Sequence, residues 1–157
     1  MSGAPRHVLV TDAGRGSAIA FIRSLGRRGW RVTAADTDRR SPGFRSRFAT
    51  DRLVYPAPSM WADAAVDAIH DAVCRTGVDL VIPITDEIGL PLAAARDRFA
   101  GVTRLALPDP VALGVARDKA ATLALAERLG VPVPPTRVVT GADAAIAAAG
   151  ELGWPVV

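Results

Sequence analysis

The sequence predicts an α/β fold: a three-layer α/β/α domain with a mostly parallel sheet, followed by a short fragment of a second α/β domain. Short β-branched runs alternate with helical stretches, the connections are short, and glycine or proline ends most elements. Because parallel strands must be joined by crossovers, this alternation predicts a sheet with helices on both faces. The length of 157 residues suits one such domain with a small addition.

Short apolar runs are the candidate strands of this sheet. They comprise residues 7–11, 31–35, 53–55, 80–84 and 104–107. Each run stops at a glycine, a proline or a polar residue, as expected for buried strands of a parallel sheet. Two further strands are expected near the C-terminal end, at residues 136–139 and from residue 155 onwards.

The candidate helices follow from capping residues and apolar spacing. Five of them are predicted at residues 18–28, 85–99, 109–115, 118–129 and 143–152. The clearest pattern follows Ser59, which is a favourable N-cap residue. Trp61 and Ala64 open an apolar stripe that recurs at three- and four-residue intervals as far as Val73. This spacing predicts an amphipathic helix, which Gly77 ends.

Charge is divided unevenly along the chain. Residues 1–52 contain 11 arginines and four aspartates, a net charge of +7; residues 53–157 contain seven arginines and one lysine against 12 acids, a net charge of −4. The basic part favours anionic ligands. It has no interleaved aromatic residues and no nucleic-acid-binding motif, so nucleic acid is not an expected partner.

Several classes of protein are not indicated. No apolar run approaches the roughly 18 residues of a membrane span, and residues 1–15 lack the apolar core of a signal peptide. The one cysteine, Cys74, excludes an internal disulfide and fits a reducing compartment. No metal-ligand spacing and no catalytic triad is present. The expectation is a cytoplasmic protein that binds neither membrane nor metal through this segment.

A glycine-rich loop joins the first strand to the first helix. It consists of Gly14, Arg15, Gly16 and Ser17. Its backbone amides are candidates for holding an anion. Asp36 ends the second strand, where an acid can bind a ribose hydroxyl, but Ile19 replaces the third glycine of the dinucleotide fingerprint. An NAD(P)-binding module and a simple glycine turn therefore both remain open.

The fourth strand ends in three polar residues, Thr85, Asp86 and Glu87. The carboxylates are candidates for binding an amine and the hydroxyl for binding an acceptor substrate. Alternatively, acids in a first turn stabilise the helix dipole. Ligands of parallel sheets bind beyond the carboxyl ends of the strands. The candidate site is therefore lined by residues 12–17, 36–38 and 85–87.

Lys119 is the only lysine, whereas the other 18 basic residues of the Lys and Arg total are arginines. It follows Asp118, which is the expected N-cap or first-turn acid of a predicted helix. A compact ammonium on a flexible stem suits a phosphate oxygen, which an arginine fork does not replace in every respect. The alternative is a lysine on a solvated helix face.

The region around Lys119 resembles the ATP-grasp superfamily. The resemblance lies in Asp118-Lys119, in Leu-Gly-Val-Pro-Val-Pro-Pro-Thr at residues 129–136 and in Glu-Leu-Gly-Trp-Pro-Val-Val at residues 151–157. It is closest to the branch of carbamoyl-phosphate synthase large subunits, biotin carboxylase and related carboxylate–amine ligases. In that family a Rossmann-like pre-ATP-grasp domain precedes the nucleotide-binding fold.

The resemblance implies three segments. Residues 1–115 would be the Rossmann-like pre-ATP-grasp domain, residues 116–135 the connecting helix and proline-rich hinge, and residues 136–157 the truncated start of the nucleotide-binding domain. It also implies that Lys119 helps to hold the phosphates of ATP.

The implied parent is an ATP-dependent ligase that uses Mg²⁺, activates a carboxylate as an acyl phosphate and transfers it to an amine. The expected partners are small-molecule carboxylate and amine substrates, and a homodimer is left open. The second nucleotide-binding lysine and the metal ligands of the family come after residue 157. The resemblance therefore implies no catalytic residue in this segment and no tight cofactor binding by it alone. A non-catalytic ligand-binding domain is the remaining alternative.

Overall fold

The structure, a computed structural model, describes residues 6–156. The chain forms two compact units, Met1–Leu107 and Pro108–Val157. The described part of the first unit contains the whole sheet, and that of the second contains helices only. The resemblance predicted segment boundaries after residues 115 and 135, and these boundaries stay predictions.

Five strands form one parallel sheet in the first unit. They are β1 His7–Val10, β2 Arg31–Asp36, β3 Asp51–Val54, β4 Leu80–Ile82 and β5 Arg104–Leu105. The strand order is β3-β2-β1-β4-β5, and Val8 of β1 is in register with Val32 of β2 and Leu80 of β4. The predicted parallel sheet is confirmed. All five carboxyl ends therefore lie at one edge.

Helices follow the strands in alternation. The first unit contains α1 Gly16–Arg27, a 3₁₀ helix at Pro42–Arg45, α2 Pro58–Thr76, α3 Asp86–Ala94 and α4 Arg96–Phe99. The single helix predicted for residues 85–99 is divided in two, because Ala95 has φ −93° and ψ 15° and caps both pieces.

The two faces of the sheet bury separate cores. On one face Val8 and Val10 pack with Ile22 of α1 and Phe44 of the 3₁₀ helix. The other face packs against α2, α3 and α4 through buried residues that include Leu9, Val81, Ile69, Ile88 and Phe99. Since successive residues of a strand point to opposite faces, β1 alone contributes to both cores. The predicted three-layer arrangement is thus confirmed, and each fully buried Leu or Ile contributes about 1.5–3 kcal/mol.

The start of α2 differs from the prediction. Ala57, not Ser59, is the N-cap residue, and Pro58 is the first helical residue. Trp61 has φ −140° and ψ 58°, which interrupts the helix within its first turn. Trp61 and Ala64 are exposed, which differs from the apolar stripe predicted to start with them. The buried stripe begins at the next residue and comprises Ala65, Val66, Ile69, Ala72 and Val73.

The second unit contains α5 Pro110–Arg117, α6 Lys119–Arg128 and α7 Ala142–Leu152, close to the predicted helices. The strands predicted at residues 136–139 and from 155 are not formed within the described residues; Val157 lies outside them. A strand needs a neighbour for its backbone donors and acceptors, and none adjoins either segment in the part of the chain that is described.

Candidate functional site

A cavity of about 290 Å³ lies at the carboxyl edge of the sheet, among the loops that follow β1, β2, β3 and β4. Its charged lining consists of Asp12, Arg15, Asp36, Asp38 and Glu87. The location agrees with the expectation that parallel sheets bind ligands beyond their carboxyl ends. Four carboxylates face one guanidinium, so the lining has an excess of negative charge.

Asp12 connects the loops after β1 and β4. Its backbone has a left-handed φ of 51°, which aspartate tolerates better than most residues. Its Oδ2 accepts hydrogen bonds from the Thr11 hydroxyl at 2.7 Å and from the Thr85 amide at 3.2 Å. Thr11 Oγ1 in turn accepts the Ile84 amide at 3.1 Å. The Asp12 carboxylate therefore supports the start of α3.

Tyr55 adds the end of β3 to this network. Its side chain is buried, and its hydroxyl accepts the Asp12 amide at 3.4 Å and donates to Asp12 Oδ1 at 3.2 Å. Burial, and after it the negative charge of Asp12, raises the pKa of the Tyr55 hydroxyl well above its ordinary value of 10.0. Tyr55 therefore remains a protonated donor.

The Asp36 carboxylate, a group of the protein itself, binds the backbone of the glycine loop. Asp36 Oδ2 accepts the Gly14 amide and the Ser41 hydroxyl, both at 2.7 Å, and Oδ1 accepts the Asp38 amide at 3.1 Å. A Cβ at Gly14 would lie 3.3 Å from Asp36 Oδ2. The Gly14 amide is thus already bound to an anion, and a ribose hydroxyl would compete with three hydrogen bonds for Asp36.

The 3₁₀ helix packs closely on the same loop. Ser41, which precedes it, is fully buried. A Cβ on Gly43 would overlap the carbonyl oxygen and Cβ of Ala13, so only glycine fits there without a shift of the backbone. This contact holds the loop after β2 against the loop after β1.

Glu87 and Arg15 are the two charged residues of the lining whose side chains are not bonded to another described side chain. Both side chains are exposed, and within residues 6–156 neither makes a hydrogen bond or ion pair with another side chain. Glu87 lies in the first turn of α3, where a carboxylate is favourable. Arg15 is the N-cap residue of α1, at the positive end of that helix, where a cation is disfavoured.

The structure brings only some of the predicted site residues together. Gly14, Arg15, Asp36 and Glu87 line the cavity. Gly16 and Ser17 lie in the first turn of α1, and Asp86 in that of α3, and all three are exposed outside the lining. Thr85 is the N-cap of α3, but its hydroxyl makes no capping bond and is buried without a partner among the described residues. Their roles in binding stay predictions.

Sequence reasoning missed Tyr55 and Ser41. Tyr55 follows β3 directly, so it stands at the edge where ligands bind and the same rule applies to it. Ser41 has no such signal, because its bond to Asp36 depends on how the intervening loop turns back.

Lys119 is the first residue of α6 in the second unit. The predicted capping role of Asp118 is confirmed, since its Oδ1 accepts the amides of Ala120 at 2.8 Å and Ala121 at 3.1 Å. Lys119 is exposed, and its ammonium makes no hydrogen bond or ion pair with another described residue. A cation at the positive end of a helix is disfavoured by the dipole. The fold therefore holds the backbone of Lys119 while leaving its ammonium free.

Residues 6–156 contain neither a metal-binding cluster nor a membrane-spanning helix. Among residues 6–156, no three His, Cys, Asp or Glu side chains come together as a metal site. No helix in the same range has the length and apolar character needed to cross a membrane.

Solved structures of a carboxylase domain and a synthetase resemble the chain. The biotin carboxylase domain of a single-chain bacterial carboxylase is 25% identical, with a TM-score of 0.62 over 93% of this chain and 34% of that one. N5-carboxyaminoimidazole ribonucleotide synthetase from Thermotoga maritima is 19% identical, with a TM-score of 0.61 over 96% of this chain and 37% of that one. No protein-family model and no curated protein sequence matches.

A third similar structure contains nucleotide. It is the biotin carboxylase domain dimer of the Hydrogenobacter thermophilus 2-oxoglutarate carboxylase, in complex with MgADP, ADP and bicarbonate. The identity is 22% and the TM-score 0.64, over 96% of this chain and 33% of that one.

These likenesses confirm the fold that the resemblance implied. The chain has the Rossmann-like fold of the pre-ATP-grasp domain that begins ATP-grasp carboxylases and ligases. It spans about a third of the length of the three solved structures described above.

Proposed function

We propose that this chain is the N-terminal part of an ATP-grasp ligase that activates a carboxylate as an acyl phosphate and couples it to an amine or similar nucleophile. The proposal rests on the structural similarity to three ATP-grasp structures. The match covers 93–96% of this chain and about a third of each of those chains. Carbamoyl-phosphate-synthase-like chemistry, cytoplasmic location and a homodimer belong to the same proposal.

The proposed reaction has two steps. A carboxylate oxygen attacks the γ-phosphorus of ATP, so that an O–P bond forms and the bond to ADP breaks. The amine nitrogen then attacks the acyl carbon, a C–N bond forms, and the C–O bond to phosphate breaks while the amine loses a proton. The products are an amide, ADP and inorganic phosphate.

Of the groups described here, Lys119 fits one part of the nucleotide. Its ammonium is free and exposed on a backbone that Asp118 caps, as a contact to a phosphate oxygen requires. Among residues 6–156 no three His, Cys, Asp or Glu side chains come together as a site for Mg²⁺. The metal ligands of the proposed ligase would then lie outside this segment.

The role of Lys119 is tested in the full-length protein. Replacing Lys119 by alanine should raise the KM for ATP about tenfold, because a charge-assisted phosphate contact is lost. Arg128→Ala, at the opposite end of α6, is the matched control and should leave that KM unchanged. An unchanged KM in Lys119→Ala would remove the role assigned to this residue.

The isolated segment of residues 1–157 should show neither ATPase nor ligase turnover. Robust turnover by the purified segment would contradict the proposed division of the catalytic residues.

An NAD(P)-binding module is the second candidate, and Gly14, Gly16 and Asp36 favour it by their sequence pattern. The bonds from Gly14 and Ser41 to Asp36 weigh against it, because they occupy the groups that the cofactor would use. Calorimetry with NADPH discriminates between the candidates. Tight binding to this segment would favour the dinucleotide module over the ligase.

A further inference from the structure

Two charged side chains in the lining of the carboxyl-edge cavity have no bonding partner among the described side chains, and their charges have opposite signs. Glu87 presents a free carboxylate and Arg15 a free guanidinium, and both side chains line the same cavity. They make no ion pair with one another or with any other described side chain. Asp38 adds a partly used carboxylate, because the Arg40 amide at 2.8 Å binds only its Oδ1. Charges of both signs are therefore available to one ligand.

The overall charge of the lining excludes one class of ligand. Four carboxylates against one guanidinium repel a phosphorylated or otherwise polyanionic molecule. The same lining attracts an ammonium group. Arg15 then provides a place for a single carboxylate on the ligand, so the charges match a zwitterion better than a simple amine.

The size of the cavity also favours a small ligand. A volume of about 290 Å³ is at the lower limit of typical small-molecule sites. This space suits a small metabolite. Gly14 and Ser41 stand beside the charged groups and keep part of the lining polar.

We propose that the cavity binds a free α-amino acid, with its ammonium against Glu87 and Asp38 and its carboxylate against Arg15. This inference rests on the proposed function, since the amino acid would be the amine substrate of the ligase. Asp12 and Asp36 contribute negative charge but keep their hydrogen bonds to the protein.

The direct test is calorimetry on the full-length protein with each standard L-amino acid. The amino acid that binds best is then compared with two analogues, the amine that lacks its carboxylate and the 2-hydroxy acid that lacks its ammonium. Each analogue should bind about tenfold more weakly or worse, because each loses a charged contact. Equal binding of either analogue, or no binding of any amino acid, would overturn the proposal.

Two pairs of variants locate the binding. Glu87→Gln and Arg15→Gln should each raise the Kd for the amino acid about tenfold. Their matched controls are Glu127→Gln on α6 and Arg23→Gln on α1, both exposed and outside the lining, which should leave that Kd unchanged. Because Glu87 and Arg15 are exposed and unpaired, thermal denaturation should show that both variants fold. Unchanged affinity for the amino acid in both variants would overturn the assignment of the cavity as its binding site.

Binding of MgADP, measured separately on the same preparation, distinguishes the two proposals. If MgADP binds and no amino acid does, the amino-acid site fails and the ligase proposal stands. If an amino acid binds through Glu87 and Arg15 but is never coupled to a carboxylate at the expense of ATP, the site stands and the ligase proposal fails.

Discussion

The Tyr55 hydroxyl and the Asp12 main chain and carboxylate form a reciprocal pair, in which the hydroxyl accepts the Asp12 amide and donates to Asp12 Oδ1. The second carboxylate oxygen of Asp12 accepts the Thr85 amide. One buried hydroxyl and one carboxylate thus connect the ends of three strands, β1, β3 and β4. This connection sets the position of the start of α3, which carries Glu87.

Removing the hydroxyl should destabilise the first unit. Tyr55→Phe leaves the partly buried Asp12 amide and Oδ1 without their partner, which should cost about 1–3 kcal/mol. Urea denaturation, followed by tryptophan fluorescence, measures the loss. Combining Tyr55→Phe with Asp12→Asn should give less than the sum of the two single effects, since the residues act as a pair. Strict additivity would show that the pair is not coupled.

Asp36 should stabilise the folded protein even in the absence of a ligand. Asp36→Ala removes the acceptor of the Gly14 amide and of the fully buried Ser41 hydroxyl, so we expect a loss of about 2–3 kcal/mol. Asp63→Ala, an exposed acid on α2, should change stability by less than about 0.5 kcal/mol. Equal midpoints of urea denaturation for the two variants would refute the role given to Asp36.

Two glycines offer a matched comparison. Gly43→Ala should destabilise the protein by about 1–3 kcal/mol, because the new Cβ overlaps the Ala13 carbonyl. Gly16→Ala should be neutral or slightly stabilising, since a Cβ there has no atom within 4 Å and the residue is helical. Thermal denaturation of both variants checks the difference, and similar melting temperatures would contradict the close contact between the two loops.

His7 should make stability dependent on pH at the opposite edge of the sheet. It is buried, its Nε2 lies 2.8 Å from Thr33 Oγ1 and its Nδ1 lies 3.2 Å from the Thr76 carbonyl oxygen. The carbonyl can only accept, so Nδ1 carries the proton and Nε2 accepts the Thr33 hydroxyl. Burial lowers the pKa of His7 below its ordinary value of 6.5, against the opposing effect of the Thr76 bond.

The sign of the pH effect follows from that direction. Below pH 6.5 the unfolded chain binds a proton at His7 more readily than the folded chain does. Stability should therefore be fully present above this pH and decrease as the pH falls below it. Urea midpoints at about pH 7.5 and about pH 5.5 measure the change, which should be smaller in His7→Gln. The same decrease in both proteins would assign it to other groups.

The elements that sequence reasoning placed well are those decided by local chemistry. The strand from His7 is a β-branched run before a glycine turn, and Asp118 caps α6 because its carboxylate reaches the next amides. Both depend on neighbours within a few residues. The edge at which the cavity lies followed from the parallel order of the strands alone.

The features that were missed depend on distant partners. A carboxylate at the end of β2 has the same sequence pattern whether it binds a ligand or, as Asp36 does, the Gly14 amide 22 residues away. The interruption at Trp61 leaves the apolar spacing of α2 intact, so periodicity cannot indicate it. Residues 136–139 have the composition of a strand but no neighbouring strand among the described residues. Long-range contacts decide the first and the last of these cases.

The most direct test of the ligase proposal follows the oxygen atoms. The full-length protein is incubated with ATP, an amine and a carboxylate substrate labelled with ¹⁸O in both carboxylate oxygens, and the inorganic phosphate is analysed by mass spectrometry. Formation of an acyl phosphate transfers one labelled oxygen to the phosphate that leaves, so we predict one ¹⁸O atom in each phosphate formed with the amide product. Amide formation with unlabelled phosphate, or coupling that consumes no ATP, would contradict the account.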